Sequence, residues 1–132
     1  MMFLDASAIV GIIADEPEAG SLLQRIESGD VSYVSALSIW EAARALSRKR
    51  EWSIDEAESI VLRFAEGIAA IHIPIDEHIG RKAVRAHADY GKGRHPAALN
   101  MGDCFAYACA KTLGVPLLAK GDDFPQTDIK MA

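Results

Sequence analysis

The sequence predicts an α/β fold in which a parallel sheet is flanked by helices, all within one domain spanning residues 1–132. The main observation is that short apolar segments alternate with longer segments of helical period, the pattern of repeated strand–helix–strand units. The length of 132 residues suits a single domain. Half of the residues are hydrophobic and a quarter are charged, which is enough to build a buried core without disulfides.

The first elements are a strand and two helices. Residues 2–4 are apolar and predict a short buried strand, which leads through Asp5 into helical residues 8–14. Residues 18–27 predict an amphipathic helix. Its apolar face consists of Leu22, Leu23 and Ile26.

A second strand and a pair of helices follow. The turn residues Gly29 and Asp30 precede an apolar segment at 31–35, which predicts a strand. Residues 35–50 and 53–70 then predict a helical hairpin. Several of its apolar side chains could pack in the core, in a dimer contact or against a partner, with the core as the default. These are Leu46, Trp52, Ile60 and Leu62.

Residues 71–73 predict a third strand, which Pro74 ends, and residues 76–90 predict a helix. A basic, glycine-rich loop occupies residues 91–96. This stretch therefore contributes another strand–helix unit and a positively charged loop.

The last helix is predicted at 101–113, where Gly114 ends it. Residues 115–119 predict the fourth strand and residues 121–123 a turn. A final edge strand is expected at 127–131. Cys104 and Cys109 lie five positions apart on the predicted helix and point to different faces, so we expect free thiols.

The charge and the N-terminus restrict the functional class. A net charge of −5 has the wrong sign for a general nucleic-acid-binding surface. Residues 1–10 contain no basic n-region, and no apolar stretch is long enough to span a bilayer, so we expect a cytoplasmic protein. If four acids are set aside as a metal site, the remainder of the chain is nearly neutral.

Four acidic positions fall where a parallel sheet binds ligands, beyond the carboxyl ends of its strands or at nearby helix starts. Each also has an ordinary structural explanation. Asp5 can cap a helix, and Glu41 can close a capping box with Ser38 unless the helix begins nearer Ser35. Asp103 can stabilise a helix dipole. Their joint placement predicts a carboxylate cluster.

The fourth acid lies in the turn after the last predicted strand, where Asp122 and Asp123 are adjacent. Each of the two also has an ordinary structural explanation, because turns favour aspartate. We favour Asp123 because its neighbour Phe124 can pack in the core, and Asp122 is the alternative.

A carboxylate cluster predicts a site for a hard divalent cation. Mg²⁺, with Mn²⁺ as the alternative, offsets repulsion between carboxylates and prefers oxygen ligands. The four histidines show no paired ligand spacing, which disfavours zinc. No glycine-rich phosphate loop followed by Lys-Ser/Thr is present.

Three segments resemble the VapC-type PIN-domain ribonucleases, toxins of type II toxin–antitoxin pairs. They are Phe3–Val10, Ser38–Glu41 and the stretch Gly91–Ile129, which contains a Gly-Asp-Cys motif and a Gly-Asp-Asp-Phe motif. The resemblance implies a PIN-like parallel sheet flanked by helices and Mg²⁺-dependent endoribonuclease activity by metal-activated water. It also implies a VapB-type antitoxin partner, an RNA substrate and a homodimer.

Carried over by position, the resemblance assigns the metal-binding and catalytic acids, with Ser7 as a supporting polar group. The acids are Asp5, Glu41, Asp103 and Asp123. Basic residues that are candidates for holding RNA phosphates lie on the helix 35–50 and in the loop 91–96. They are Arg44, Arg48, Lys49, Arg50, Lys92, Arg94 and His95.

Two other functions fit part of the pattern. A haloacid-dehalogenase-like phosphohydrolase would also use an acid after the first strand, a lysine such as Lys120 and a late Gly-Asp-Asp. However, position 7 is serine where that class needs a second acid, and the length leaves no room for a cap domain. A non-catalytic PIN-fold binding module is the alternative from another class.

Overall fold

The computed structural model describes all 132 residues and has a four-stranded parallel sheet in the order β3-β2-β1-β4. The strands are β1 (Met2–Leu4), β2 (Ser32–Ser35), β3 (Ile71–Ile73) and β4 (Leu117–Leu118). The helices are α1 (Ala6–Ile13), α2 (Ala19–Ser28), α3 (Ala36–Arg50), α4 (Ile54–Gly67), α5 (Glu77–Tyr90) and α6 (Met101–Leu113). The predicted fold class is confirmed.

The central strand β1 separates two apolar cores. Met2 and Leu4 pack into the core shared with α1–α4, whereas Phe3 packs with α5 and α6 on the opposite face. This alternation follows from the two-residue period of a strand. Because β1 is covered on both faces, its three residues are all apolar and buried.

The apolar residues of the α3–α4 hairpin are divided between the core and the surface. Leu46 is fully buried, and Trp52 packs at the edge of the same core. Leu62 is 42% exposed and lines a groove with Trp40, so the default core assignment is wrong for this residue. No helix of the structure has the length and apolar character that a membrane crossing requires.

The expected edge strand at 127–131 does not form. Only Met131 pairs with Leu117, as an isolated parallel bridge, and a short 3-10 helix spans Phe124–Gln126. The Thr127 hydroxyl donates to the Phe124 carbonyl and accepts from the Ile129 amide. These local side-chain bonds compete with a strand ladder, which explains the difference. Both cysteines are free and buried, as expected.

Candidate active site

The carboxyl edge of the sheet opens into a cleft of about 410 Å³. Asp5 directly follows β1, and Lys120 lies two residues beyond β4 on the neighbouring strand. Helices α3 and α6 supply Glu41 and Asp103. The polar lining of the cleft is Asp5, Ser7, Glu16, Glu41, Arg44, Arg48, Asp103 and Lys120. Three of the four predicted acids therefore meet here.

Asp5 is the most buried acid of the cleft, with 5% of its surface exposed. Its Oδ2 accepts a hydrogen bond from the Ser7 amide at 3.0 Å, so it caps α1 as well as lining the cleft. Burial raises the pKa of the Asp5 carboxyl, and the hydrogen bonds from Ser7 partly oppose that shift. The capping and site interpretations are thus compatible in one residue.

Glu41 is free to enter the cleft because another pair caps α3. Ser35 and Ser38 form the capping box at the start of α3, so the alternative box between Ser38 and Glu41 is wrong. The Glu41 carboxylate lies against the backbone of Gly102, where a Cβ would fall 1.9 Å from its Oε2. Glycine at 102 is therefore what lets α6 approach the Glu41 carboxylate.

Burial and like charges raise the pKa of Glu41 to about 7. Desolvation is the largest cause, followed by the charges of Asp5 and Asp103, while Arg44 lowers the pKa. A carboxyl perturbed by burial and by two other acids in one cleft is typical of a functional site. The three carboxylates are therefore close enough to interact electrostatically.

Asp103 is held at the start of α6 by reciprocal hydrogen bonds with Asn100. Its Oδ2 accepts from the Asn100 amide at 3.1 Å, and its own amide donates to Asn100 Oδ1 at 2.9 Å. Burial, followed by the charges of Asp5 and Asp123, raises the pKa of Asp103 to about 6, whereas the bond from Asn100 lowers it. This fixed geometry places its carboxylate at the cleft.

The two aspartates of the last turn point to different surroundings. Asp123 is near enough to Asp103 for its charge to raise the Asp103 pKa. Asp122 lines a separate pocket together with Arg25 and Lys120. Both are exposed, and neither lines the cleft of the other three acids. Phe124 is 4% exposed, so the predicted apolar contact beside Asp123 is confirmed.

The donor set of the cleft suits a hard cation in its chemistry. Asp5, Glu41 and Asp103 offer only carboxylate oxygens, and their mutual repulsion favours a bound positive charge. No three His, Cys, Asp or Glu side chains are arranged to hold an ion by themselves. Mg²⁺ is commonly held by one or two carboxylates together with waters and substrate phosphates, so a complete protein cage is not required.

The predicted phosphate-binding residues divide into two groups. Arg44 and Arg48, one turn apart on α3, line the cleft. Elsewhere on α3, Lys49 pairs with Glu16 at 3.0 Å, and the Arg50 side chain donates to the Ala14 carbonyl. The loop residues do not line the cleft. They are Lys92, Arg94 and His95.

Three residues of this site received no role in the ribonuclease hypothesis drawn from the sequence. Glu16 lies in the turn between α1 and α2, where no motif distinguishes it from an ordinary surface acid. Lys120 fitted only the phosphohydrolase alternative, and Gly102 carries no side chain. The Gly-Asp pair at 102–103 was the one available signal for the close approach of Glu41.

Comparison with known proteins agrees with this geometry. The family model described as PIN domain matches residues 2–130. A VapC ribonuclease of Rhizobium meliloti (strain 1021) is 43% identical, and the match covers 98% of this chain and 99% of that protein. A PIN-domain match over residues 2–130 does not fit the alternative of a haloacid-dehalogenase-like phosphohydrolase.

Solved structures share the fold at low sequence identity. The Mycobacterium tuberculosis toxin VapC20, which cleaves the sarcin–ricin loop, superposes with a TM-score of 0.78 at 15% identity, covering 100% of this chain and 98% of that one. A toxin–antitoxin complex from Klebsiella pneumoniae gives 0.68 at 15% identity, covering 97% and 93%. With the family match and the near-full-length relative, these similarities show that the chain belongs to the PIN-domain family, in its VapC group.

Proposed function

We propose that this protein is a Mg²⁺-dependent endoribonuclease that acts as the toxin of a VapBC-type toxin–antitoxin pair, with Mn²⁺ as the alternative ion. The observation that carries the proposal is the cleft that Asp5, Glu41 and Asp103 line together, in which the charges of Asp5 and Asp103 raise the pKa of Glu41 and the charge of Asp5 raises the pKa of Asp103. The VapC ribonuclease that matches nearly the whole chain supports RNA as the substrate.

In this proposal Asp5 and Asp103 hold the principal ion, and Glu41 and Asp123 complete the acidic set. Asp5 and Asp103 suit the task because hydrogen bonds from the Ser7 and Asn100 amides fix their carboxylates. Asp122 remains the alternative to Asp123. Ser7 supports the site because its amide bonds Asp5 while its hydroxyl accepts from the Lys120 amide at 2.9 Å.

The reaction is hydrolysis of an RNA phosphodiester, which breaks one P–O bond and adds water to give a phosphate monoester and a free hydroxyl. Bound Mg²⁺ supplies Lewis acidity toward the phosphate and lowers the pKa of water. Without an ion, burial and the charges of Asp5 and Asp103 raise the pKa of Glu41 to about 7. A cation bound beside it would lower that pKa and keep Glu41 ionised, so that its carboxylate could accept a proton from water. Arg44 and Arg48 line the same cleft and face an incoming phosphate.

The partner proposal rests on similarity. The structure from Klebsiella pneumoniae with this fold is a toxin–antitoxin complex, which supports a VapB-type antitoxin partner for this chain. A homodimer is part of the same proposal. The antitoxin partner is tested by co-expressing the protein with the product of the neighbouring small gene. We expect that product to relieve growth arrest and to co-purify with the protein, and growth arrest that no neighbouring product relieves would contradict the toxin role.

The activity is tested by RNA cleavage with and without Mg²⁺. We expect the wild type to cleave only with the ion and Asp103→Asn to lose cleavage, because the amide cannot replace a charged ligand. The side chain of this variant still offers an oxygen to the Asn100 amide, so the helix start and the fold are kept. Equal cleavage by a folded Asp103→Asn variant would remove Asp103 from the mechanism. No heat of Mg²⁺ binding in calorimetry would instead favour a non-catalytic module.

A further inference from the structure

A second set of charges borders the acidic cleft and has no part in the mechanism described so far. Lys120 Nζ lies 2.6 Å from Glu16 Oε2 and 3.4 Å from Glu18 Oε2. Glu16 also accepts from Lys49 at 3.0 Å, but Lys49 does not line the cleft. Lys120 and Glu16 therefore form the part of this cluster that faces the acids.

The backbone of Lys120 is connected to the acid that follows β1. Its amide donates to Ser7 Oγ at 2.9 Å, and the Ser7 amide donates to Asp5 Oδ2 at 3.0 Å. Two hydrogen bonds thus fix Lys120 relative to Asp5. This connection exists because β4 pairs in parallel with β1, so both strands end at the same edge.

The side chain of Lys120 is held more firmly than the other cations of the cleft. Arg44 and Arg48 are exposed and form no ion pair with an acid, whereas the Lys120 side chain is 31% exposed and pairs with two carboxylates.

The ammonium group retains bonding capacity toward the cleft. A lysine has three N–H donors, and Glu16 and Glu18 account for two of them. An ion pair at a partly exposed site adds little stability, so the pair by itself gives the fold a small benefit. An RNA phosphate entering beside three carboxylates, in contrast, would gain a positioning contact from a cation that lines the same cleft.

We propose that Lys120 contacts a phosphate of the bound RNA next to the acidic cleft and that Glu16 is the positioning residue that orients its ammonium group. This inference rests on the proposed ribonuclease function. It adds to the machinery a lysine from the β4 edge and an acid from the α1–α2 turn.

The test compares Lys120→Met with Lys111→Met. Lys111 is the matched control because its side chain is 35% exposed and pairs with one carboxylate, Asp128, at 3.0 Å, but it does not line the cleft. In the cleavage-inactive Asp103→Asn background, binding of single-stranded RNA is measured over a series of salt concentrations. We expect Lys120→Met to reduce the slope of log K against log salt by about 0.7, one phosphate contact, and Lys111→Met to leave it unchanged.

Cleavage kinetics with the active protein give the second readout. Lys120→Met is expected to raise KM about tenfold, with a smaller change in kcat. Lys120→Arg keeps the positive charge, so its KM is expected to equal that of the wild type. Glu16→Gln should lower kcat/KM in the wild-type background and change it little in Lys120→Met, since it acts through that lysine. Additive effects of the two changes would overturn the positioning role of Glu16.

The outcomes separate the two proposals. If the wild type cleaves RNA and Lys120→Met matches Lys111→Met in salt slope and KM, the assignment of Lys120 is overturned and the ribonuclease function stands. If the wild type neither binds nor cleaves RNA, the proposed function itself fails. Thermal melts of all variants establish that each is folded, so that a loss of binding is assigned to the contact.

Discussion

The contact between Gly102 and Glu41 gives the sharpest prediction from this structure. In Gly102→Ala the new Cβ would lie 1.9 Å from Glu41 Oε2, whereas ordinary van der Waals contact begins at 3.4 Å. The carboxylate oxygen must therefore move by about 1.5 Å, the difference between these distances. Because a displacement of about 1 Å at an active site can cost about 100-fold in rate, we expect kcat/KM for RNA cleavage to fall at least that far.

The thermal stability of Gly102→Ala should rise or stay unchanged, even though its activity falls. The atoms nearest the new Cβ belong to the end of the flexible Glu41 side chain, which can rotate away. Alanine also favours a helix over glycine by up to about 1 kcal/mol. We therefore expect a melting temperature equal to or above that of the wild type, together with the loss of activity.

Gly20→Ala is the matched control. Gly20 occupies the second residue of α2, as Gly102 does in α6, and a Cβ there meets nothing within 4 Å. Its activity should equal that of the wild type in the same RNA cleavage assay. Full activity in a folded Gly102→Ala protein would refute the reasoning, because it would mean that the position of the Glu41 carboxylate is irrelevant to the reaction.

Three further predictions concern a buried acid, the pH dependence of stability and a core leucine. Asp5→Asn should abolish cleavage yet stabilise the metal-free protein at neutral pH. The substitution removes a buried charge and keeps an oxygen that can accept from the Ser7 amide. A melting temperature below that of the wild type would contradict this prediction. The folded-state pKa values of Glu41 and Asp103, about 7 and about 6, exceed their ordinary values of 4.5 and 3.8. Between these values the folded state binds more protons than the unfolded state, so the stability of the metal-free protein should fall as the pH rises from about 4 through 7. Mg²⁺ should restore stability most at the upper end of this range. Thermal melts at several pH values check the sign, and a metal-free melting temperature that rises with pH would contradict the prediction. Leu46→Ala, at a fully buried position of α3, should cost about 2–5 kcal/mol in chemical denaturation without changing the acidic cleft.

The sequence determined the order of the elements and the edge at which the site lies. Alternating apolar and helical segments predicted the parallel sheet, and Asp5 was placed correctly because a residue that follows a buried parallel strand must lie at the carboxyl edge. The failure at 127–131 has a local cause, since the Thr127 hydroxyl accepts a hydrogen bond from the Ile129 amide, a donor that a strand would have left for pairing.

The tertiary structure decided which side chains meet. From the sequence, Ser38 could pair with Ser35 at a helix that begins at residue 36, or with Glu41 at a helix that begins three residues later. Because β2 ends at Ser35 and α3 follows at once, the structure has the first pairing. The Glu16–Lys120 pair joins residues 104 positions apart, and the approach of Glu41 to Gly102 depends on how α3 packs against α6. Spacing along a chain fixes which face of an element a residue occupies, but contacts between elements depend on packing, which no local pattern encodes.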